Sequence, residues 1–176
     1  MRKRRSVVLL VTEAQVVGPD VYKRQTYAWA VYGCEVEVDL RTGETQVLRF
    51  VTNQDVGHVL HATLATGQIQ GGVVQGIGWA LCEKVIYKQG RVMNNALSTY
   101  AIPTFVDVPP ITVLFEETPF EFGPQGAKGI GELPMDGPAP AIANALSAAL
   151  GAEVTHVPCL PEDILALAPL PEVTHG

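Results

Sequence analysis

The stretch 34-CEVEVDLRTGETQVLRFVT-52 reads as two strands joined by a turn. Cys34, Val36 and Val38 fall on one face and Glu35, Glu37 and Asp39 on the other, the period-two pattern of a half-exposed strand. Extending the pattern backwards predicts a strand over residues 27–40. The segment 41-RTGE-44 has the composition of a turn, and residues 45–52 form the returning strand of a hairpin. Residues 53–57 (NQDVG) read as a polar loop leaving the hairpin.

Beyond the hairpin the period changes. Residues 61–87 have the apolar spacing of a buried helix, with Ile69, Val73, Val74, Ile77 and Leu81 on the apolar positions. The same segment holds Gly67, Gly71, Gly72, Gly76 and Gly78. An interior glycine costs a helix about 1 kcal/mol relative to alanine, so such a density implies close approach of another helix or of a ligand. Gln89-Gly90 is a turn, residues 101–108 run extended around Pro103, and residues 111–115 read as a strand. A loop rich in glycine and proline fills 118–140. A helix is expected from Pro134 to Leu150 with Gly151 as its stop, then a short strand over 154–157 and a last helix over 161–168. Strands in hairpins, without regular βαβ alternation, place the chain in the mixed α+β class.

Composition narrows the function classes. The 176 residues suffice for one core, and 47% hydrophobic with 17% charged residues argues against disorder. Residues 26–176 carry six basic and sixteen acidic residues, a net of −10, which repels nucleic acid. The apolar run 7–11 is too short to span a bilayer, and Glu13 interrupts it as a secretion signal. Cys34, Cys82 and Cys159 form no Cys-x-x-Cys pair, so neither a disulfide framework nor an iron–sulfur site is encoded, and a reducing, cytoplasmic setting is expected. Residues 20–25 (DVYKRQ) resemble translated sequencing-adapter read-through. Residues 1–25 are therefore set apart from the fold as a non-native or disordered extension.

Two glycine-rich segments could carry chemistry. In 126-GAKGIGELPMDGPAPAIANA-145 the spacing misses the Gly-x-Gly-x-x-Gly fingerprint, and Lys128 is followed by glycine where a nucleotide-binding P-loop needs Ser or Thr. A nest of backbone N–H groups that cradles an oxyanion remains open. Glu132 projects from permissive backbone beside a helix start; a helix-terminal acid is the plain reading of such a residue. His58 and His61, three apart, have no neighbouring acid or cysteine in sequence to complete a metal set, so a loop or helix-start role is expected. His156 is placed in a strand, and Trp79 is expected to be buried.

The run 126–145 resembles the C-terminal signature of the large, molybdenum-cofactor-binding subunit of the xanthine dehydrogenase/aldehyde oxidase family. So do 67-GQIQGGVVQGIG-78, Asp55-Val56-Gly57 and 97-LSTYAIPT-104, in the same order and at similar separations. The resemblance covers about 27–168. It implies that residues 26–176 are the C-terminal part of the family's molybdenum-cofactor-binding domain. Residue by residue, Glu132 matches the family's general base and Gln68 a glutamine that hydrogen-bonds the pterin. Gly126, Ala127, Lys128, Gly129 and Gly131 match the loop that shapes the cofactor and substrate pocket.

The implied reaction is oxidative hydroxylation, by water, of an electron-poor carbon in an N-heterocycle such as a purine, or in an aldehyde. The implied cofactor is a molybdenum–pterin (molybdopterin or its cytosine dinucleotide), with metal ligands from the pterin and none from protein side chains. Iron–sulfur clusters and FAD are expected on partner subunits or domains, within an oligomer of the complete enzyme. By itself the 176-residue chain is expected to be inactive. A reading from a different class is a non-catalytic domain that binds a partner or an anion through its glycine-rich loops.

Overall fold

The computed structural model describes residues 3–16 and 26–168, the side chains of 7–16 excepted. Three long strands, β1 (Lys3–Val16), β2 (Thr26–Asp39) and β3 (Thr45–Asp55), run antiparallel to their neighbours, and β6 (Ile111–Glu116) lies parallel to β3. The sheet order is β1-β2-β3-β6. A small hairpin, β4 (Tyr87–Lys88) and β5 (Arg91–Val92), stands apart from it, turning at Gln89 and Gly90, both with positive φ. The helices are α1 (Ala62–Leu81), α2 (Leu133–Asp136), α3 (Pro138–Leu150) and α4 (Pro161–Leu167). Helix α3 covers β1 and β2, while α1 packs on α3 and α2. This is the expected mixed α+β class: antiparallel neighbours β1 to β3, with a single crossover through α1 to the parallel strand β6.

Along β2 every even position from Ala28 to Val38 is buried, which sets the face that receives the helices. On β3 the phase changes midway: Val47 is buried, and then Phe50, Thr52 and Gln54. A bulge causes this. The register moves from Glu35↔Arg49 to Val36↔Val47, leaving Leu48 as the extra residue. The turn closes through Asp39 N–H to the Glu44 carbonyl (2.9 Å) and Gly43 N–H to the Asp39 carbonyl (2.8 Å).

Residues 3–16, set apart in sequence, form the edge strand β1, paired with β2 from Lys3↔Asp39 to Val16↔Thr26. The unmet N–H and C=O groups of β2 and the apolar, valine-rich run 7–11 suit such pairing. Lys3 and Arg5 both reach Glu37, at 2.6 and 3.2 Å, and the Arg4 guanidinium donates to the Ala149 and Leu150 carbonyls at the end of α3. Residues 17–25, which include the adapter-like stretch, lie outside the described residues.

Several local expectations change. The helix expected over 134–150 divides at Gly137, and the extended run 101–108 turns as a 3-10 helix at Phe105–Asp107. Residues 53–55 are not loop: pairing with β2 on one side and β6 on the other carries β3 through Asp55. Helix α1 stops at Leu81, and residues 83–86 leave it as irregular chain. Residues 154–157 form no strand; the Val154 N–H is met by Ser147 Oγ at 2.9 Å. His156 therefore stands exposed, 3.4 Å from Asp163, outside any strand. Trp79 is 47% exposed, because the buried stripe of α1 runs through Ile69, Val73, Gly76, Ile77 and Ala80.

The glycines of α1 divide by role. A Cβ on Gly72 would lie 2.6 Å from Pro134 Cβ, and one on Gly76 2.8 Å from Pro138 Cβ. These two glycines form the notch into which α2 and the start of α3 settle. Gly67 and Gly71 face open space, with nothing within 4 Å of a would-be Cβ.

Candidate functional site

At the end of β3 the chain turns at Gly57 (φ 67°) and meets the loop 124–128 across an isolated bridge between Gly57 and Ala127. His58 N–H donates to the Gly126 carbonyl (3.0 Å) and Lys128 N–H to the Val56 carbonyl (2.8 Å). Glycine is required at 57 for two reasons. Its φ is positive, and a Cβ there would overlap the Gly126 carbonyl oxygen.

An ion pair locks the same junction. Lys128 Nζ lies 2.8 Å from Asp55 Oδ2, with 5% and 8% of the two side chains exposed. Asp55 Oδ1 also accepts the N–H groups of Gly57 (3.0 Å) and Thr118 (3.1 Å). Burial alone would raise the Asp55 carboxyl, but the Lys128 ammonium and these N–H donors outweigh it and hold Asp55 below the usual carboxylate range. Both residues lie in segments that carry the family resemblance, yet their pairing was not legible in sequence. Opposite lone charges in residues 53–57 (NQDVG) and 126–131 (GAKGIG) were the available signal.

A cleft of 290 Å³ opens beside this junction. Gln68 lines it from α1, Ala127, Lys128 and Ile130 from the loop, and His58 and His61 from the connection between β3 and α1. The structure thus brings together three of the seven residues singled out in sequence: Gln68, Ala127 and Lys128. Gly126 lies behind them with φ 85°, its carbonyl taken up by His58 and Phe120 N–H groups. Gly129, Gly131 and Glu132 do not line the cleft. Gly129 and Gly131 stand on either side of Ile130 in the chain, and Glu132 is exposed at the cap position of α2.

The bare glycines make this region receptive to a bulky group. Gly67 and Gly71 flank exposed Gln68, and neither they nor Gly131 has an atom within 4 Å of a would-be Cβ. Backbone here can be approached to van der Waals contact, and the Gln68 amide can both donate and accept. These residues fit a pterin-sized, hydrogen-bonding group. The histidines have other duties: His61 Nδ1 accepts the Leu64 N–H and caps α1, while His58 pairs with Glu117 at 2.7 Å. Among the described residues no three His, Cys, Asp or Glu side chains gather as a metal-holding group.

Glu132 has an acidic neighbour one turn on. Burial first, and then the Glu132 carboxylate, push Asp136 above its ordinary value. Asp136 also lines a second cavity, of 430 Å³, with Trp79, Asn144 and His156. Phe122, a further aromatic near the loop, is 56% exposed. Among the described residues no helix is long and apolar enough to cross a membrane.

The sequence matches the family described as Molybdopterin cofactor-binding domain over residues 11–109, a span that contains Gln68 and begins within the segment first set apart. It is similar to the xanthine dehydrogenase molybdenum-binding subunit of Escherichia coli O157:H7, 36% identical over 136 residues. That match covers 74% of this chain and 18% of the relative. It is 34% identical over 140 residues to the aldehyde oxidoreductase of Megalodesulfovibrio gigas, covering 79% of this chain and 15% of the relative. Among solved structures, quinoline 2-oxidoreductase from Pseudomonas putida 86 superposes with a TM-score of 0.76 at 35% identity, covering 82% of this chain and 19% of that one. The chain thus spans under a fifth of the length of these relatives.

Proposed function

Because the chain belongs to the molybdopterin cofactor-binding family, we infer that it forms part of the large subunit of a molybdenum hydroxylase, with Glu132 as the general base. The observation that carries this reading is the convergence of Gln68 with Ala127 and Lys128 on one cleft, beside glycines that leave the backbone bare. Gln68 would hydrogen-bond the pterin, and the 126–131 loop, pinned by the Asp55–Lys128 pair, would shape its pocket. The bound cofactor supplies the two-electron redox chemistry.

The work left to the protein is positioning and proton transfer. The Glu132 carboxylate accepts the proton of the water-derived nucleophile, raising its reactivity toward an electron-poor carbon of an aldehyde or an N-heterocycle such as a purine. Asp136, one turn on, is the acid beside this base, its carboxyl raised by burial and then by the Glu132 carboxylate. Iron–sulfur and FAD groups on partner subunits or domains would take up the electrons, in an oligomeric complex.

A purely anion-binding role finds less support, since the Lys128 ammonium is already spent on Asp55. The test is Glu132→Gln in the complete enzyme, assayed by dye reduction with aldehydes and N-heterocycles alongside molybdenum analysis. The expected result is loss of turnover with molybdenum retained. Full activity would refute the base assignment, and joint loss of metal and activity would make Glu132 structural.

A further inference from the structure

Tyr32 stands in the middle of β2 with 0% exposure, on the face that receives the helices. Its hydroxyl donates to the carbonyl of Leu133, the residue that follows Glu132. Its ring lies against Gly137, where a Cβ would overlap two ring carbons. Tyr32 therefore touches both ends of α2, while the Gly72–Gly76 notch of α1 holds Pro134 and Pro138 from the other side. The four-residue helix that carries Glu132 at its cap is gripped between the sheet and α1.

The tyrosine is itself held. Phe50 packs edge-on to it, with ring centroids 6.4 Å apart at 66°. Gln54 Nε2 donates to Thr52 Oγ1 at 3.1 Å and reaches the Tyr32 hydroxyl at 3.4 Å. Thr52 and Gln54 are 1% and 0% exposed, so a polar chain crosses an otherwise apolar core. Gln54 Oε1 has no partner among the described residues. Burying an amide half unmet costs stability, and a phenylalanine in place of Tyr32 with an apolar residue in place of Gln54 would fill the same space without that cost.

We propose that Tyr32 and Gln54 are positioning residues for Glu132, fixing its backbone through the Leu133 carbonyl; this rests on the reading of Glu132 as the base. The next residue of β3, Asp55, holds Lys128. The end of this one strand then mounts both halves of the site, the cofactor loop and the base, in a fixed relation. A base displaced by an ångström loses the alignment that proton transfer needs.

The kinetic test uses Tyr32→Phe, Gln54→Met and the double variant in the complete enzyme. Tyr32→Phe is expected to lower kcat by roughly tenfold to a hundredfold, with KM within about twofold and molybdenum content unchanged. Gln54→Met should add nothing when Tyr32→Phe is already present, because it acts through the hydroxyl. Unchanged kcat, additive effects, or loss of molybdenum in step with kcat would overturn the proposal.

A second readout needs no cofactor: amide exchange in the 176-residue chain. The Met135 N–H, bonded to the Glu132 carbonyl at 2.9 Å, should exchange faster in Tyr32→Phe while the β2–β3 ladder is unchanged. Uniform acceleration, or none, would overturn it. Should Tyr32→Phe fail to fold, Gln54→Met carries the same expectation and the same refutation. The two failures are distinct. An active Glu132→Gln enzyme refutes the base assignment, whereas unaltered exchange at Met135 refutes the positioning alone.

Discussion

Replacing Asp55 by Asn leaves the Lys128 ammonium 5% exposed and opposite a neutral amide. Removing one partner of a buried pair typically costs about 3–5 kcal/mol, because the surviving charge stays buried without compensation. The asparagine side-chain oxygen can still accept the Gly57 and Thr118 N–H groups that Asp55 now satisfies. The expected loss is therefore at the lower end, about 3 kcal/mol. Removing the stranded charge as well, with Asp55→Asn/Lys128→Met, should recover roughly 2 kcal/mol of it, since apolar replacements of buried pairs are often near neutral.

Urea unfolding of the chain followed by circular dichroism reads these differences from midpoints at constant slope. The pH dependence gives a second handle. The folded Asp55 carboxyl lies below its unfolded value, so its stabilisation is complete above about pH 4 and is lost as pH falls through the folded value. Asp55→Asn should flatten that part of the acid limb. A loss under about 1 kcal/mol, the worth of an exposed pair, would refute the reasoning. So would a double variant no more stable than Asp55→Asn.

The glycines of α1 should respond in opposite directions. Gly72→Ala places a Cβ 2.6 Å from Pro134 Cβ and is expected to cost about 1–3 kcal/mol. Gly71→Ala, on open helix surface, should stabilise the chain by about 1 kcal/mol, yet lower molybdenum–pterin content in the complete enzyme if the bare backbone serves the cofactor. Thermal unfolding and metal analysis check the pair; equal effects from both substitutions would sink the division. His61→Ala removes the acceptor for the Leu64 N–H and should destabilise by about 1 kcal/mol, whereas His61→Asn should not, again read by urea unfolding.

Much of this protein follows from local pattern. The alternation of 34–38 names the buried face of β2, and the 41–44 turn dictates the hairpin, because neighbouring side chains on a pleated strand can point only to opposite sides. Gly151, with φ 70°, ends α3 where a left-handed residue was expected. The motif around 126–145 and the segment holding Gln68 pointed to the family, and Gln68, Ala127 and Lys128 line one cleft.

What pairs across the fold was not readable in this way. Asp55 meets Lys128 seventy-three residues on, and Tyr32 meets Leu133 one hundred and one residues on. Residues 53–55 looked like loop because their side chains are polar; pairing with the far part of β2 on one side and with β6 on the other makes them strand. Nor could composition say which glycines of α1 admit α2 and which stay bare. Periodicity is set by the geometry of one element and is written in adjacent residues. The partner of a buried polar group, or the use of a missing Cβ, depends on which distant element packs there, and that is decided only when the whole core closes.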